Sequence, residues 1–458
     1  MKSLIYFTQV VLALTFLEPS VAQSSGIESS RLYFEKTDRS PIVNLALVLK
    51  SGGVQDPVEK QGLSNFVGEM LLRGTRVRSK AEFERKIDEL GAEIAVEVRA
   101  EALIIRCAVL EKKIEPFLAL LKEAITEQVF SAVEIEKLRS ELLSGLNDMK
   151  ARDGRLAQEL LPHLLFPEHP YGHFLMGHQK SLKSIQKKDI QQHYQALFHR
   201  TAFTLVGNGP VTPARMEEWF RELNQKLPEA PQKQFVLSNP ASASQRHVYI
   251  IDKPDRTQTQ VIVAQKGALI SSDAFFPLHV GNFAFGGGSF SSRLMQEIRV
   301  KRGWSYGAGS NFRFGTRERS WSLSLMPKTE DTVPALKHVL TMLDDLKMNG
   351  ITESEFGQAQ ASLANGAAFT SNTPEKRIEN RVLEITLDLP LGYMDTWKKR
   401  ILETKLSNVK TELGKFIAPE GLTIVILATK TPELLAGIEA ATGVKSDQIK
   451  VIRYDQAF

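Results

Sequence analysis

Residues 62–75 read GLSNFVGEMLLRGT. Leu63, Phe66, Val67, Met70 and Leu71 recur at i, i+3, i+4, i+7 and i+8, the period of an amphipathic helix with its apolar stripe turned inward. Asn65, Gly68 and Glu69 share a different face. A second stretch, residues 286–306, reads GGGSFSSRLMQEIRVKRGWSY. There Ser291 or Ser292 can cap a helix whose inner face is Leu294, Met295 and Ile298. Lys301 and Arg302 suit its negative end, Gly303 can stop it, and Trp304-Ser305-Tyr306 opens a strand-like run.

Working outward, the two stretches lie in halves that echo each other. Asn44-Leu-Ala-Leu-Val-Leu near the start of the first half matches Gln260-Val-Ile-Val-Ala in the second. Phe203-Thr-Leu-Val-Gly and Leu422-Thr-Ile-Val-Ile-Leu close the halves. Leu45 to Leu205 spans 160 residues and Val261 to Ile424 spans 163. A helical run at Glu134 begins 89 residues beyond Leu45, and its echo at Glu353 begins 92 beyond Val261. Matching offsets predict an α+β fold of two homologous α/β-sandwich domains related by duplication, each about 200 residues long. Expected bounds are 30–227 and 248–458, joined by a Pro-rich linker at 228–247.

Residues 1–22 read as a signal peptide: Lys2, an apolar run from Leu4 to Leu17, and small residues at Ser20-Val21-Ala22. The run is too short to span a bilayer, which takes about 20 apolar residues. The mature chain is expected to start near Gln23, exported to a periplasm and without a membrane anchor. Cys107 is the only cysteine in 458 residues, so no internal disulfide forms. The 58 basic and 53 acidic residues leave a net charge of +5, too small and scattered to indicate nucleic acid. The spacing of Gly281 and Gly286 suggests a phosphate loop, but Gly287-Gly288 stands where Lys-[ST] belongs. Cys107 lies in a strand-like run, so it is not indicated as a nucleophile.

The first stretch resembles the helix of zinc peptidases of the pitrilysin/insulinase type, whose inverted motif H-x-x-E-H sits in a frame like G-L-x-H-F-x-E-H-M-L-x-x-G-T. Gly62, Leu63, Phe66, Met70, Leu71, Gly74 and Thr75 keep the frame. Asn65 and Glu69 occupy the histidine positions and Gly68 the glutamate position. The family's third ligand comes from a later helix, here Ile135 to Met149, where Gly145 aligns with it. The resemblance therefore implies a vacated zinc site and no metal in this chain. His163, His169, His173 and His178 cluster in sequence, but His169-Pro170-Tyr171-Gly172 resembles a family loop that does not ligate zinc.

The second stretch resembles the family segment G-G-[GS]-x-S-S-R-L-x-x-x-[IL]-R-x-x-x-G-x-x-Y, from Gly287 to Tyr306. The resemblance places the family's substrate-binding arginine and tyrosine at Arg299 and Tyr306. It implies half of a clamshell that closes over a peptide, with Arg299 and Tyr306 acting in trans beside a homologous zinc-bearing partner subunit. The alternative it leaves open is a non-enzymatic peptide-binding or scaffold homologue.

Overall fold

The computed structural model describes residues 31–229 and 235–456. The leader at 1–22 and the linker's 230–234 lie outside the described residues. The strands are β1 (Leu32–Lys36), β2 (Ile42–Leu49), β3 (Glu93–Val98), β4 (Leu103–Leu110), β5 (Phe203–Gly209), β6 (His247–Asp252), β7 (Gln260–Lys266), β8 (Ser305–Phe312), β9 (Ser320–Pro327), β10 (Thr423–Ala428) and β11 (Lys450–Arg453). The first sheet has the order β1-β5-β2-β4-β3 and the second β11-β6-β10-β7-β9-β8. Replacing β1 to β5 by β6 to β10 converts one order into the other, with β11 as an added edge. Every neighbour relation is also kept. The β1–β5 and β6–β10 pairs are parallel, and the rest of the shared ladder is antiparallel.

The central strands read as continuous apolar runs because both faces are covered. On one face of the first sheet, Leu45, Leu47 and Leu49 join the core beneath Phe66, Phe117 and Leu138. On the other face, Ala46, Val48, Ile104 and Val206 meet Ile378 and Val382 of the Pro374–Thr386 helix, which belongs to the second half. The second sheet receives the reciprocal cover. Leu156, Leu160, Leu161 and Leu164 of the Asp153–Leu165 helix pack on Ile251, Ile262, Val425 and Leu427. Each fully buried aliphatic side chain contributes roughly 1.5–3 kcal/mol, so the exchanged helices bind the halves firmly. Buried Lys253 adds a polar tie, donating to Asp153 Oδ1 at 2.6 Å and to the Lys150 carbonyl at 2.8 Å.

The described part of the linker is pinned rather than free. Leu237 is buried with Val54, Phe166 and Tyr171. Its carbonyl accepts from Arg317 Nε at 3.1 Å.

Candidate functional site

The Leu63–Met70 helix forms where its apolar stripe predicts, with Leu63, Phe66, Val67 and Met70 buried. Its N-terminus takes no cap from Gly62, which sits at φ 88°. Asp56 supplies the cap from outside: its carboxylate accepts from the Gly62 and Ser64 amides at 2.8 and 2.9 Å and from Ser64 Oγ at 2.6 Å. His193 Nε2 lies 2.8 Å from that same hydroxyl. The trio resembles a nucleophile with its base. Ser64 is fully buried and engaged on both sides, so the arrangement anchors a helix and cannot meet a substrate. The sequence reading missed this network because its members are 8 and 129 residues apart along the chain.

Burial pushes Asp56 up to about 7, against the lowering effect of the hydrogen bonds from Ser64 and Gly62. Its stabilising contribution is fully present below 3.8 and is lost as pH rises through about 7. Burial pushes His193 down to about 4, so its contribution has the opposite sign: present above 6.5 and lost as pH falls through about 4. The Asp56 loss accumulates between 3.8 and about 7 and levels off above that, and comparison with Asp56→Asn removes the opposing His193 contribution. The wild type is expected to lose melting temperature over that window relative to Asp56→Asn. Parallel melting curves against pH for the two proteins would contradict this.

The zinc-motif positions do not fit a metal. Asn65 is half-buried and Glu69 exposed on the outer face of the helix, while Gly68 is buried against β3. A Cβ at Gly68 would meet Val98 Cγ2 at 2.9 Å and Val96 Cγ1 at 3.1 Å. The space a glutamate would need is thus filled by β-branched side chains. Gly145, on the Ala132–Ala151 helix, faces open space. The Glu69 carboxyl is held above its ordinary value, first by partial desolvation; Arg73 opposes this and Glu141 adds to it. Among the described residues, no group of three His, Cys, Asp or Glu could hold a metal. Ion pairs tie the turn after the motif helix to the Ala132–Ala151 helix instead: Arg73 donates to Glu141 at 3.2 Å and lies 3.6 Å from Glu134.

The two glycines predict substitutions of opposite sign. Gly145→Ala should stabilise by about 1 kcal/mol, the helix-propensity gain. Gly68→Ala makes the same gain but overpacks β3 at a cost of about 1–3 kcal/mol, so it should be destabilising. Denaturant titration of both variants is the check, and equal signs would refute the filled-site geometry.

The histidine cluster does not converge. His163 stacks on Phe174 at 4.6 Å, His173 Nδ1 lies 3.2 Å from the Gly53 carbonyl, and His178 caps the Gln179–Ser184 helix.

The second stretch is less regular than the single helix expected. Ser292 is the cap, accepting from the Met295 amide at 3.4 Å. Arg293–Met295 is one α-turn, and Gln296–Val300 widens into a π-turn, a feature frequent at functional sites. Gly303 at φ 66° ends it, and β8 follows. Lys301 and Arg302 each reach Glu297 at 2.5 Å, and these bonds, led by Lys301, hold its carboxyl down at about 2.

The two arginines of this segment part company. Arg293 is clamped by Glu355 through bonds of 2.7 and 2.7 Å and by Asp345 at 3.1 Å. Arg299 pairs with no carboxylate among the described residues. Its guanidinium carbon lies 4.2 Å from the Tyr306 ring centroid. Tyr306 itself is 79% exposed on β8, an edge strand of its sheet. Core packing does not account for its hydroxyl. Arg299 and Tyr306 are brought together; the motif helix belongs to the first sheet, and they belong to the second.

Comparison with known proteins addresses what frame this is. Residues 31–179 match the family profile for insulinase (peptidase family M16), and residues 184–363 match that for the peptidase M16 inactive domain. The chain belongs to this family. A Helicobacter pylori protein named non-peptidase homolog YmxG is 22% identical over 87% of this chain and 91% of its own. A Bacillus subtilis protein named uncharacterized zinc protease YmxG is 22% identical over 77% of this chain and 86% of its own. Among solved structures, a peptidase M16 inactive domain from Pseudomonas fluorescens superposes with a TM-score of 0.81 at 23% identity, covering 87% of this chain and 95% of that one. A protease from Helicobacter pylori gives a TM-score of 0.79 at 13% identity, covering 89% and 99%. The two-domain insulinase-family fold is thereby established.

Proposed function

We propose that this chain is the catalytically incomplete subunit of a two-chain zinc metallopeptidase. The observation that carries the reading is the contrast between a filled space at Gly68 and an Arg299–Tyr306 pair whose tyrosine stands exposed. The partner is a homologue with an intact H-x-x-E-H, and the substrate is a peptide. When bound in that partner, zinc supplies Lewis-acid activation of water. This chain's Arg299 offers N–H donors in a fixed fork to a peptide carbonyl, and the Tyr306 hydroxyl donates to the oxyanion that attack creates. Export through a cleaved leader, with domains at 30–227 and 248–458 and a linker at 228–247, completes the proposal. Among the described residues no helix is long and apolar enough to cross a membrane.

A scaffold or peptide-binding role is the second reading, favoured by the relative named a non-peptidase homolog. Reconstitution with the zinc-bearing homologue tests the choice. Cleavage that needs both chains supports the subunit reading; a complex without cleavage supports the scaffold.

A further inference from the structure

The turn leading to Arg299 holds one large side chain in solvent. Gly286 is so close to β8 that a Cβ would meet Ser310 Oγ at 2.3 Å. Ser289 adopts a left-handed φ of 52°, uncommon for a residue with a side chain. Ser291 Oγ donates to the Gly288 carbonyl at 2.9 Å, Ser292 Oγ to that of Ser289 at 2.7 Å, and Gln296 Nε2 to that of Phe290 at 2.7 Å. The turn so fixed displays the Phe290 ring, 59% exposed and outside the apolar core of its half. That ring meets Arg299: the guanidinium carbon lies 4.8 Å from the Phe290 centroid, in addition to its contact with Tyr306.

We infer that Phe290 is a positioning residue for Arg299, holding the guanidinium on two aromatic rings so that its N–H edges stand ready for a peptide carbonyl before substrate arrives. The functional part of this rests on the reading of Arg299 as a carbonyl clamp. With no carboxylate to orient Arg299 among the described residues, ring contacts set its direction. A surface arginine otherwise samples many rotamers, and losing them before binding improves affinity.

The mature chain alone carries the first test, through ¹⁵N relaxation of the Arg299 Nε–Hε group, assigned by its disappearance in Arg299→Lys. An order parameter of about 0.8 is expected in the wild type and below about 0.6 in Phe290→Ala. Phe290→Tyr should keep the order, and Phe290→Leu, apolar but not aromatic, should lose it. Melting temperature should stay unchanged in all three. In the reconstituted pair, Phe290→Ala should raise KM about two- to fivefold, the scale of one exposed cation–π contact, with kcat little altered. Phe290→Tyr should restore KM. An Arg299 side chain that stays ordered in Phe290→Ala, with KM unchanged while Arg299→Ala raises it, overturns the positioning role and leaves the clamp standing. If Arg299→Ala itself leaves KM unchanged, it is the clamp reading that fails.

Discussion

Purified alone, the chain is expected to carry no stoichiometric zinc and to cleave no peptide. Mixed with the zinc-bearing homologue, it is expected to give a complex that turns over peptide at about 1–10 s⁻¹, an ordinary enzymatic rate. The reason lies in the division of groups. In the proposed alignment Gly68 takes the place of the general base, and Val96 and Val98 occupy the space beside it. No rearrangement of Asn65 or Glu69 alone completes a three-ligand site, and an amide is a poor zinc ligand. Tyr306 is exposed on the edge strand β8 and Arg299 is half-buried on the turn before it, both in the second half. Elemental analysis of each chain, then peptide cleavage by each alone and by the mixture, measures all of this. Zinc at one per chain with chelator-sensitive cleavage by the isolated protein would refute the division. An unreactive complex would hand the case to the scaffold reading.

Tyr306→Phe in that complex should lower kcat by about 10²–10³, the usual cost of one oxyanion donor. The ring is 79% exposed, so its loss of a hydroxyl removes no core hydrogen bond, and folding and partner binding should be nearly intact. KM should change much less, because the oxyanion exists only beyond the ground state. Arg299→Ala should raise KM as well, since a ground-state carbonyl already uses the guanidinium. Steady-state kinetics beside a melting curve separates these effects from damage to the fold. A Tyr306→Phe complex with unchanged kcat would show that the hydroxyl takes no part in the reaction.

Much of the frame is legible in the chain itself. The stripe Leu63, Phe66, Val67, Met70 needs only helical periodicity, and the structure buries each of these residues. The echo of β2 in β7 and of β5 in β10 follows from their apolar runs and their spacing, and the two sheets share one strand order. Gly303 as a helix stop is a local property of a residue free to take positive φ. Local rules also suggest one continuous helix from Ser292 to Arg302. They miss the π-turn at Gln296–Val300, because its widening answers to packing against β8 and not to propensity.

The sequence by itself determined the duplicated α+β architecture, since spacing and periodicity are properties of one dimension; through its family resemblance it also suggested the proposal that Asn65, Gly68, Glu69 and Gly145 are vacated positions and Arg299 and Tyr306 a retained pair. Only the tertiary structure decided which arginine is spent on ion pairs and which, among the described residues, meets rings and no carboxylate. Arg293 meets Glu355 from 62 residues away, whereas Arg299 meets two rings. It alone also showed that each half covers the other's sheet with a helix, and that Val98 fills the space at Gly68. Such facts depend on which side chains the fold brings within van der Waals reach, and contacts across tens to hundreds of residues leave no periodic trace in the chain.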